Sequence, residues 1–251
     1  MQLTMLGTGA PLHPTRAGTG MMLTHPGCQP LMIDTCGGFE LARRMAASGF
    51  TRAQLRHVIV THRHLDHAGG MQELLLAQIP LDIYANTDTH AGINMVTAGC
   101  FPEWQQHADV VRHTVDGGQR HDPGGFQVAF FTVEHRVPTL AVRVTAGGRT
   151  FAFSADCRPG PNLIACARDA DLFLCDAICA TTDGLEAIAR TLSHMHPSAQ
   201  EAAIAATEAR AKRLLCTHIG RFGNAANILT EASAHFAGPV AIAEDGGVYD
   251  V

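Results

Sequence analysis

The sequence predicts one α/β domain in which two sheets are covered by helices on their outer sides. Three observations support this fold class. Short apolar runs alternate with helical patterns toward both ends of the chain, the middle is rich in strands, and no low-complexity linker interrupts the 251 residues. A chain of this length buries a core without covalent staples. We therefore expect residues 1–251 to form a single domain.

The first part of the chain alternates short apolar runs with longer amphipathic stretches, punctuated by Gly and Pro. Apolar runs of three to five residues predict buried strands, and the longer stretches predict helices. The predicted strands are Gln2–Leu6, Leu31–Ile33, His57–Val60 and Leu81–Tyr84. The predicted helices are Phe39–Ala47, Gly70–Ala77 and Thr87–Val96. This alternation is typical of strand–helix–strand units.

The middle of the chain carries three consecutive strand patterns, and the glycine pair Gly147-Gly148 between the last two predicts a hairpin. These strands are Gln127–Val133, Leu140–Thr145 and Arg149–Ser154. The final third alternates again, with an Ala-rich helix. Its predicted strands are Leu172–Cys175, Arg213–Cys216, Val240–Ile242 and Val248–Val251, and its helices are Ser198–Ala209 and Ile228–His235.

The charge balance is unusual, since the chain has 15 histidines but only one lysine, Lys212. The net charge of −5 gives no standing positive field, which argues against a protein that coats nucleic acid. The eight cysteines form no CxxC pair, so a zinc ribbon is not supported, and we expect reduced thiols in the core. Neither a signal-peptide pattern nor a membrane-spanning apolar run is found, so we expect a cytoplasmic protein without a membrane partner.

The strongest local signal is THRHLDHAGG, residues 61–70, which follows a predicted strand and precedes a predicted helix. Four potential metal ligands lie within six of its residues: His62, His64, Asp66 and His67. His62 and His64 are two positions apart, so they point the same way from an extended segment. Adjacent residues do not easily face one ion, which favours two neighbouring ions. Imidazole and carboxylate are ordinary zinc ligands.

Three further ligand-type residues each follow a predicted strand, namely His135, Asp156 and His218. Open α/β sheets place their sites beyond the carboxyl ends of their strands. A lone histidine at a strand end is usually an ordinary loop residue, but three such residues beside the cluster favour one shared metal site. The competing interpretation is a surface loop that is rich in histidine by chance. We expect the eight remaining histidines to be solvated: His13, His25, His57, His90, His107, His113, His121 and His235.

The chain resembles the metallo-β-lactamase-fold hydrolases along essentially its whole length. The resemblance is carried by LGTGAPLHPTRAGTG at the start, by MIDTCGG, THRHLDHAGG, His135 and FSADCRP, and by THIG near the end. It is most similar to the ribonuclease Z-like and arylsulfatase-like branch. The resemblance implies a metal-dependent hydrolase with a four-layer αββα sandwich, in which two mixed sheets carry helices on their outer faces.

The resemblance also implies a dinuclear centre with two divalent ions, zinc in the first place, with manganese or iron also compatible. Carried over to this sequence, the resemblance implies that one ion is held by His62, His64 and His135. The other ion would be held by Asp66, His67 and His218, and Asp156 would bridge both. Asp34 matches an aspartate of this family that supports the ligand loop, here residues 61–70, and orients one of its histidines.

A second motif, His196-Pro197-Ser198, matches the short His-x-Ser/Thr loop that precedes a helix in this branch. Asp176 falls where the branch carries an acidic residue near that histidine. We expect Asp176 and His196 to stabilise the developing negative charge and to protonate the leaving group. Asp66 would orient the attacking hydroxide besides binding metal. His194 is either a neighbour of His196 or a surface residue.

The expected reaction is attack by metal-bound hydroxide on a small phosphodiester, nucleotide-like or cyclic, or on a related sulfate ester. Processing of tRNA 3′ ends is disfavoured by the single lysine and by the 37 residues between Asp156 and His194, too few for a protruding arm. The sequence is also compatible with a lactonase-type ester hydrolase and with a non-catalytic metal or ligand sensor on the same fold. The branch resemblance also admits a homodimer, which the sequence neither supports nor opposes.

Overall fold

The computed structural model describes residues 1–104, 109–187, 189 and 195–251, apart from the side chain of Trp104. Two sheets are found in these residues, each with seven strands. The strands of the first sheet are β1 (Gln2–Gly7), β2 (Gly20–Thr24), β3 (Leu31–Thr35), β4 (His57–Ile59), β5 (Leu81–Ala85), β6 (Val110–Thr114) and β14 (Val248–Asp250). The strands of the second sheet are β7 (Arg120–His121), β8 (Gln127–Val133), β9 (Thr139–Ala146), β10 (Arg149–Phe153), β11 (Leu172–Asp176), β12 (Leu214–Thr217) and β13 (Val240–Ile242).

Both sheets are mixed, with a parallel part and an antiparallel part. In the first sheet, of order β14-β1-β2-β3-β4-β5-β6, the pairs from β3 to β6 are parallel. In the second, of order β13-β12-β11-β10-β9-β8-β7, the pairs from β13 to β10 are parallel. Parallel strands end at the same edge of a sheet, so both sheets gather strand ends that can carry a site.

The core is arranged in layers that follow the two-residue period of the strands. In β11, Leu172 and Leu174 point into the cluster between the sheets, whereas Phe173 and Cys175 point to the outer face. Strands buried on both faces read as continuous apolar runs, which explains why these segments show no alternation in the sequence. Phe151, with no exposed surface, lies in the cluster between the sheets.

Helices cover the outer face of each sheet. They are α1 (Leu41–Ala47), α2 (Leu65–Ala68), α3 (Met71–Leu76), α4 (Thr87–Cys100), α5 (Pro161–Ala167), α6 (Ala199–Glu208) and α7 (Ala225–His235). Helix α6 begins after Ser198, whose hydroxyl accepts the Glu201 N–H in a capping box. Its small alanines allow close packing on the second sheet. The resulting layers confirm the predicted αββα sandwich.

Most predicted elements are present, with shifts at their ends. Strands β2, β6 and β7 and helices α2 and α5 were not predicted. Helix α5 begins at Pro161, because proline lacks only an N–H that the first turn leaves unpaired. Helix α7 begins at Ala225, before the predicted Ile228, because the Asn224 side chain accepts the first free N–H groups. Gly147 and Gly148 form the predicted hairpin with positive φ.

The eight cysteines are free thiols, and six of them are buried. Of the eight histidines expected to be solvated, His235 is exposed, five are half-buried and His107 lies outside the described residues. The expectation is wrong for His90, which is buried and hydrogen-bonds the His113 carbonyl through Nε2 at 3.1 Å. A helical position facing the sheet buries this ring, and the carbonyl satisfies its polar nitrogen. Among the described residues, no helix combines the length and the apolarity that a membrane crossing requires.

Candidate metal centre

The predicted ligands meet in the groove where strand ends of the two sheets face each other. The cluster beginning at His62 follows β4 of the first sheet. The second sheet contributes His135 after β8, Asp156 after β10 and His218 after β12. The structure therefore brings together all seven residues that the sequence singled out as ligands. They arrive from both sheets, and a single strand supplies only part of the set.

One donor group consists of three histidines and a carboxylate: His62, His64, His135 and Asp156. The His64 Nδ1 atom lies 3.0 Å from His62 Nε2 and 3.2 Å from His135 Nε2. Asp156 Oδ2 lies 3.6 Å from His62 Nε2 and 3.8 Å from His135 Nε2. Each residue thus aims one donor atom at a common point.

The second donor group is composed of two carboxylates and two histidines: Asp66, His67, Asp156 and His218. His67 Nε2 lies 3.4 Å from Asp66 Oδ2 and 3.1 Å from Asp156 Oδ1. His218 Nε2 lies 3.3 Å from Asp156 Oδ2. Asp156 belongs to both groups, so its carboxylate stands between them.

The chemistry of these donors fits divalent ions. Each residue of the second donor group has one buried side-chain atom for which the described residues offer no hydrogen-bond partner: Asp66 Oδ2, His67 Nε2, Asp156 Oδ1 and His218 Nε2. A buried polar atom without a partner costs free energy of about 1–3 kcal/mol, and a shared cation would satisfy all four. Neutral imidazoles and carboxylates are the donors that zinc and similar metals bind.

The charges around the groove also favour a cation. Burial holds the pKa of His62 and His218 well below the ordinary histidine value, against the opposing effect of Asp156, so both rings offer a lone pair at neutral pH. Burial likewise lowers the pKa of His135 to about 4. At His67 burial is outweighed by the carboxylates of Asp156, Asp66 and Asp34, which hold its pKa well above the ordinary value. The field at His67 therefore attracts positive charge.

Asp34, at the carboxyl end of β3, lies beneath the ligand loop without exposed surface. Its carboxylate accepts the Thr61 N–H at 2.8 Å and the Thr61 hydroxyl at 2.9 Å. It also contacts His67 Nδ1 at 2.7 Å, which leaves Nε2 of that ring aimed at the groove. Carboxylates of this kind fix the tautomer and direction of a ligand ring.

Replacing Asp34 by asparagine is expected to weaken divalent metal binding by about 10- to 100-fold, because the amide no longer holds His67 in one orientation. Zinc affinity measured by competition with a chromogenic chelator checks this. Asp82→Asn is the matched control, since Asp82 contacts Arg56 and His113 on the same sheet outside the groove. Equal zinc affinity in Asp34→Asn and the unaltered protein would contradict the role given to Asp34.

Two glycines let the backbone pass close to the groove. A Cβ atom at Gly70 would lie 1.9 Å from the Thr35 carbonyl oxygen, and one at Gly18 would lie 2.6 Å from the Asp66 carbonyl oxygen. Neither contact is sterically allowed. Gly70 therefore allows residues 61–70 to pack closely on β3, and Gly18 allows the segment before β2 to pack against Asp66.

His196 and Asp176 form a buried pair beside the donor groups. His196 Nδ1 lies 2.6 Å from Asp176 Oδ2, and the His196 ring stacks on His218 with centroids 5.1 Å apart. Burial opposes protonation of His196, but the Asp176 carboxylate outweighs it and raises the pKa of His196 to about 9. The Asp176 carboxylate therefore favours the protonated form of His196. His194 lies outside the described residues.

A cavity of about 470 Å³ opens over the donor groups. Its floor includes His64, Asp66, His135, Asp156 and His196. Its walls include the apolar side chains of Leu12, Leu65 and Phe222, together with Arg136 and Arg221. The Arg221 guanidinium lies 4.5 Å above the centre of the Phe222 ring. This cavity is large enough for a ligand of nucleotide size and is mostly apolar above its charged floor.

The wall residues were not predicted from the sequence, and neither was Thr19, whose hydroxyl shares a 2.9 Å hydrogen bond with His218 Nδ1. Arg221 and Phe222 directly follow the THIG segment. Their nearness to His218 in the sequence was the available signal. Thr19 is the middle residue of the second Gly-Thr-Gly, residues 18–20, but no local pattern connects it with a histidine 199 positions later.

Comparison with known proteins gives three informative relatives. The uncharacterized protein ML1173 of Mycobacterium leprae is 28% identical over 264 residues, covering 100% of this chain and 89% of its own. The probable metallo-hydrolase YhfI of Bacillus subtilis is 28% identical over 258 residues and is covered completely, as is this chain. A ribonuclease Z of Mycobacterium sp. is 27% identical, covering 87% of this chain and 84% of its own.

Solved structures show the same architecture. The crystal structure of YhfI, a metallo-β-lactamase fold protein, has a TM-score of 0.83 and 25% identity, covering 99% of this chain and 98% of its own. The short form of human tRNase Z has a TM-score of 0.77 at 23% identity over 100% and 99% of the two chains, which shows a shared fold. Residues 31–219 match the family described as the beta-lactamase superfamily domain. The chain therefore belongs to the beta-lactamase superfamily, as a metal-dependent hydrolase.

Proposed function

We propose that this hydrolase cleaves small phosphodiesters, nucleotide-like or cyclic, with two divalent ions. The observation that carries the proposal is the pair of donor groups that share the Asp156 carboxylate beside the His196–Asp176 pair. His62, His64 and His135 would hold one ion, Asp66, His67 and His218 the other, and Asp156 both. When bound, such ions lower the pKa of water toward ~7 and neutralise charge that develops on phosphoryl oxygens.

The protein's own side chains supply the remaining steps. Asp66 faces the cavity and orients the attacking water through its carboxylate. His196 uses Nδ1 for Asp176, so its Nε2–H is available to the leaving oxygen of the substrate. Transfer of that proton releases the product as an alcohol, and Asp176 stabilises the imidazolium before transfer. General acid catalysis of this kind contributes about 10²- to 10⁴-fold to a rate.

Features of the cavity support this substrate class. Its volume suits a mononucleotide-sized molecule, and its apolar walls suit a ring more than a polymer backbone. Arg136 and Arg221 in the wall complement a phosphodiester anion. A tRNA would require a broad positive surface, which a net charge of −5 and a single lysine do not provide.

A parallel assay tests the proposal. The zinc-loaded protein is given bis-p-nitrophenyl phosphate, a cyclic nucleotide, p-nitrophenyl sulfate, a homoserine lactone and a tRNA precursor. We expect two metal equivalents per chain and hydrolysis of the phosphodiesters, lost on treatment with a chelator and regained with zinc. Turnover restricted to the sulfate, the lactone or the tRNA would overturn the substrate class. Two metal equivalents without turnover on any substrate would favour a sensor.

A further inference from the structure

We infer that Asp245 is a positioning residue for His218, acting through the opening loop, defined as residues 8–19. The inference rests on the proposed function, because it takes His218 to be a metal ligand. Asp245 lies in the turn between β13 and β14, and its carboxylate belongs to neither donor group. Its side chain is only 14% exposed, which is unusual for an aspartate in a turn.

His218 has a backbone conformation that requires support. Its φ of +57° lies in the left-handed region, which residues with a Cβ rarely adopt. Such a conformation persists only where the surrounding structure fixes it. The opening loop supplies two contacts of this kind, one to the neighbouring backbone and one to the ring.

The backbone contact is made by Thr8. The Ile219 N–H donates to the Thr8 carbonyl at 3.0 Å, and the Ala10 N–H donates to the Ile219 carbonyl at 3.0 Å. The ring contact is made by Thr19, whose hydroxyl meets His218 Nδ1 at 2.9 Å. With Nδ1 engaged, Nε2 is directed at Asp156 in the groove. The ring of His218 and the backbone of its neighbour Ile219 therefore both depend on the placement of one loop.

Asp245 holds that loop at two points. Its Oδ1 accepts the Thr8 hydroxyl at 2.7 Å, and its Oδ2 accepts the Ala17 N–H at 2.8 Å. Thr8 is the residue that contacts Ile219, and Ala17 lies two residues before Thr19. Arg44 of α1 adds an ion pair to Oδ2 at 3.1 Å, which fixes the carboxylate itself.

Arg16 completes the attachment of the loop to the same turn. Its Nη1 donates to the Thr8 hydroxyl at 2.7 Å and to the Ala243 carbonyl at 2.6 Å. Its Nη2 reaches Glu244 at 2.9 Å, where the Glu244 side chain is 63% exposed. Asp245 thus makes the buried contacts, whereas the neighbouring Glu244 makes a surface ion pair of small energetic weight.

Zinc binding by Asp245→Ala tests the inference, with Glu244→Ala as the adjacent control. Both are made in the unaltered chain and in a His64→Ala background, where the ion held by the His218 group is measured in isolation. We expect zinc affinity in that background to fall at least ~10-fold with Asp245→Ala and to be unchanged with Glu244→Ala. Thr19→Val should reproduce the loss, and Thr19→Ser should restore affinity because it keeps the hydroxyl.

The outcomes separate this inference from the proposed function. If His218→Ala loses one zinc equivalent while Asp245→Ala and Thr19→Val bind zinc normally, the inference fails and the proposed function stands. If His218→Ala retains both equivalents, the ligand assignment itself fails. Thermal unfolding of the metal-free proteins is measured alongside. If Asp245→Ala does not fold, Thr19→Val decides, because it removes a single hydroxyl; normal zinc affinity in Thr19→Val overturns the inference.

Discussion

Replacement of Asp156 by asparagine is expected to lower phosphodiester hydrolysis at least ~1,000-fold, equivalent to about 4 kcal/mol of transition-state stabilisation. Asp156 belongs to both donor groups, and its two oxygens lie 3.1–3.8 Å from the Nε2 atoms of His62, His67, His135 and His218. The amide keeps the size of the side chain but removes the charge that both ions would share. Metal content should fall below one equivalent per chain.

Asp171→Asn is the matched control for this prediction. Asp171 is also a buried aspartate next to a strand of the second sheet, but its carboxylate contacts Lys212 and the Thr150 N–H, away from the groove. The control should retain its metal content and hydrolytic rate, even if it unfolds at a lower temperature. Full metal content and full rate in Asp156→Asn would refute a shared ligand at this position.

Replacement of His196 by glutamine is expected to slow hydrolysis in a way that depends on the leaving group. For a phosphodiester with an alkyl or sugar leaving group, the rate should fall about 10²- to 10³-fold, because an alkoxide needs a proton on departure. For bis-p-nitrophenyl phosphate the fall should be below ~10-fold, because the phenolate leaves without one. Metal content should be unchanged, since His196 belongs to neither of the two principal donor groups.

His90→Gln provides the control for a buried histidine outside the groove, hydrogen-bonded to a backbone carbonyl of β6. It should hydrolyse both kinds of substrate at the normal rate. Rates measured for a series of leaving groups give the decisive comparison. A uniform loss across the series in His196→Gln would mean that His196 binds the substrate and transfers no proton to the leaving oxygen.

Most of the fold could be predicted because its strands are short apolar runs bounded by Gly and Pro. The exceptions have local causes. Strand β6, with the sequence VVRHT, is an edge strand whose side chains are largely exposed, so no buried face marks it. Strand β2, GMMLT, is buried on both faces and too short for a period to be recognised. In α5 the Gly160-Pro161 pair is typical of a turn, although proline also suits a first helical turn. Strand β7 and helix α2, of two and four residues, are too short for a period to be recognised.

The donor groups could be predicted because their spacing is local in part and tied to strand ends otherwise. HxHxDH lies in one loop, and His135, Asp156 and His218 each follow a strand that the sequence indicates clearly. The supports of the groove could not be predicted in the same way. Thr19 reaches a ring 199 positions later, and Asp245 reaches Thr8 across 237 positions. The first contact depends on the docking of the two sheets, and the second on the pairing of β1 with β14, which lie at opposite ends of the chain.

The donors come from both sheets, so metal binding at this site depends on the docking of the two sheets. His62, His64, Asp66 and His67 are supplied by the first sheet, and His135, Asp156 and His218 by the second. Neither half of the chain holds a complete donor group, because Asp156 completes both. With two ions bound as proposed, full occupancy during synthesis would wait until His218 has emerged and the two sheets have docked. Bound metal would then act as a cross-link between the two sheets, and its binding would indicate that the two sheets have docked.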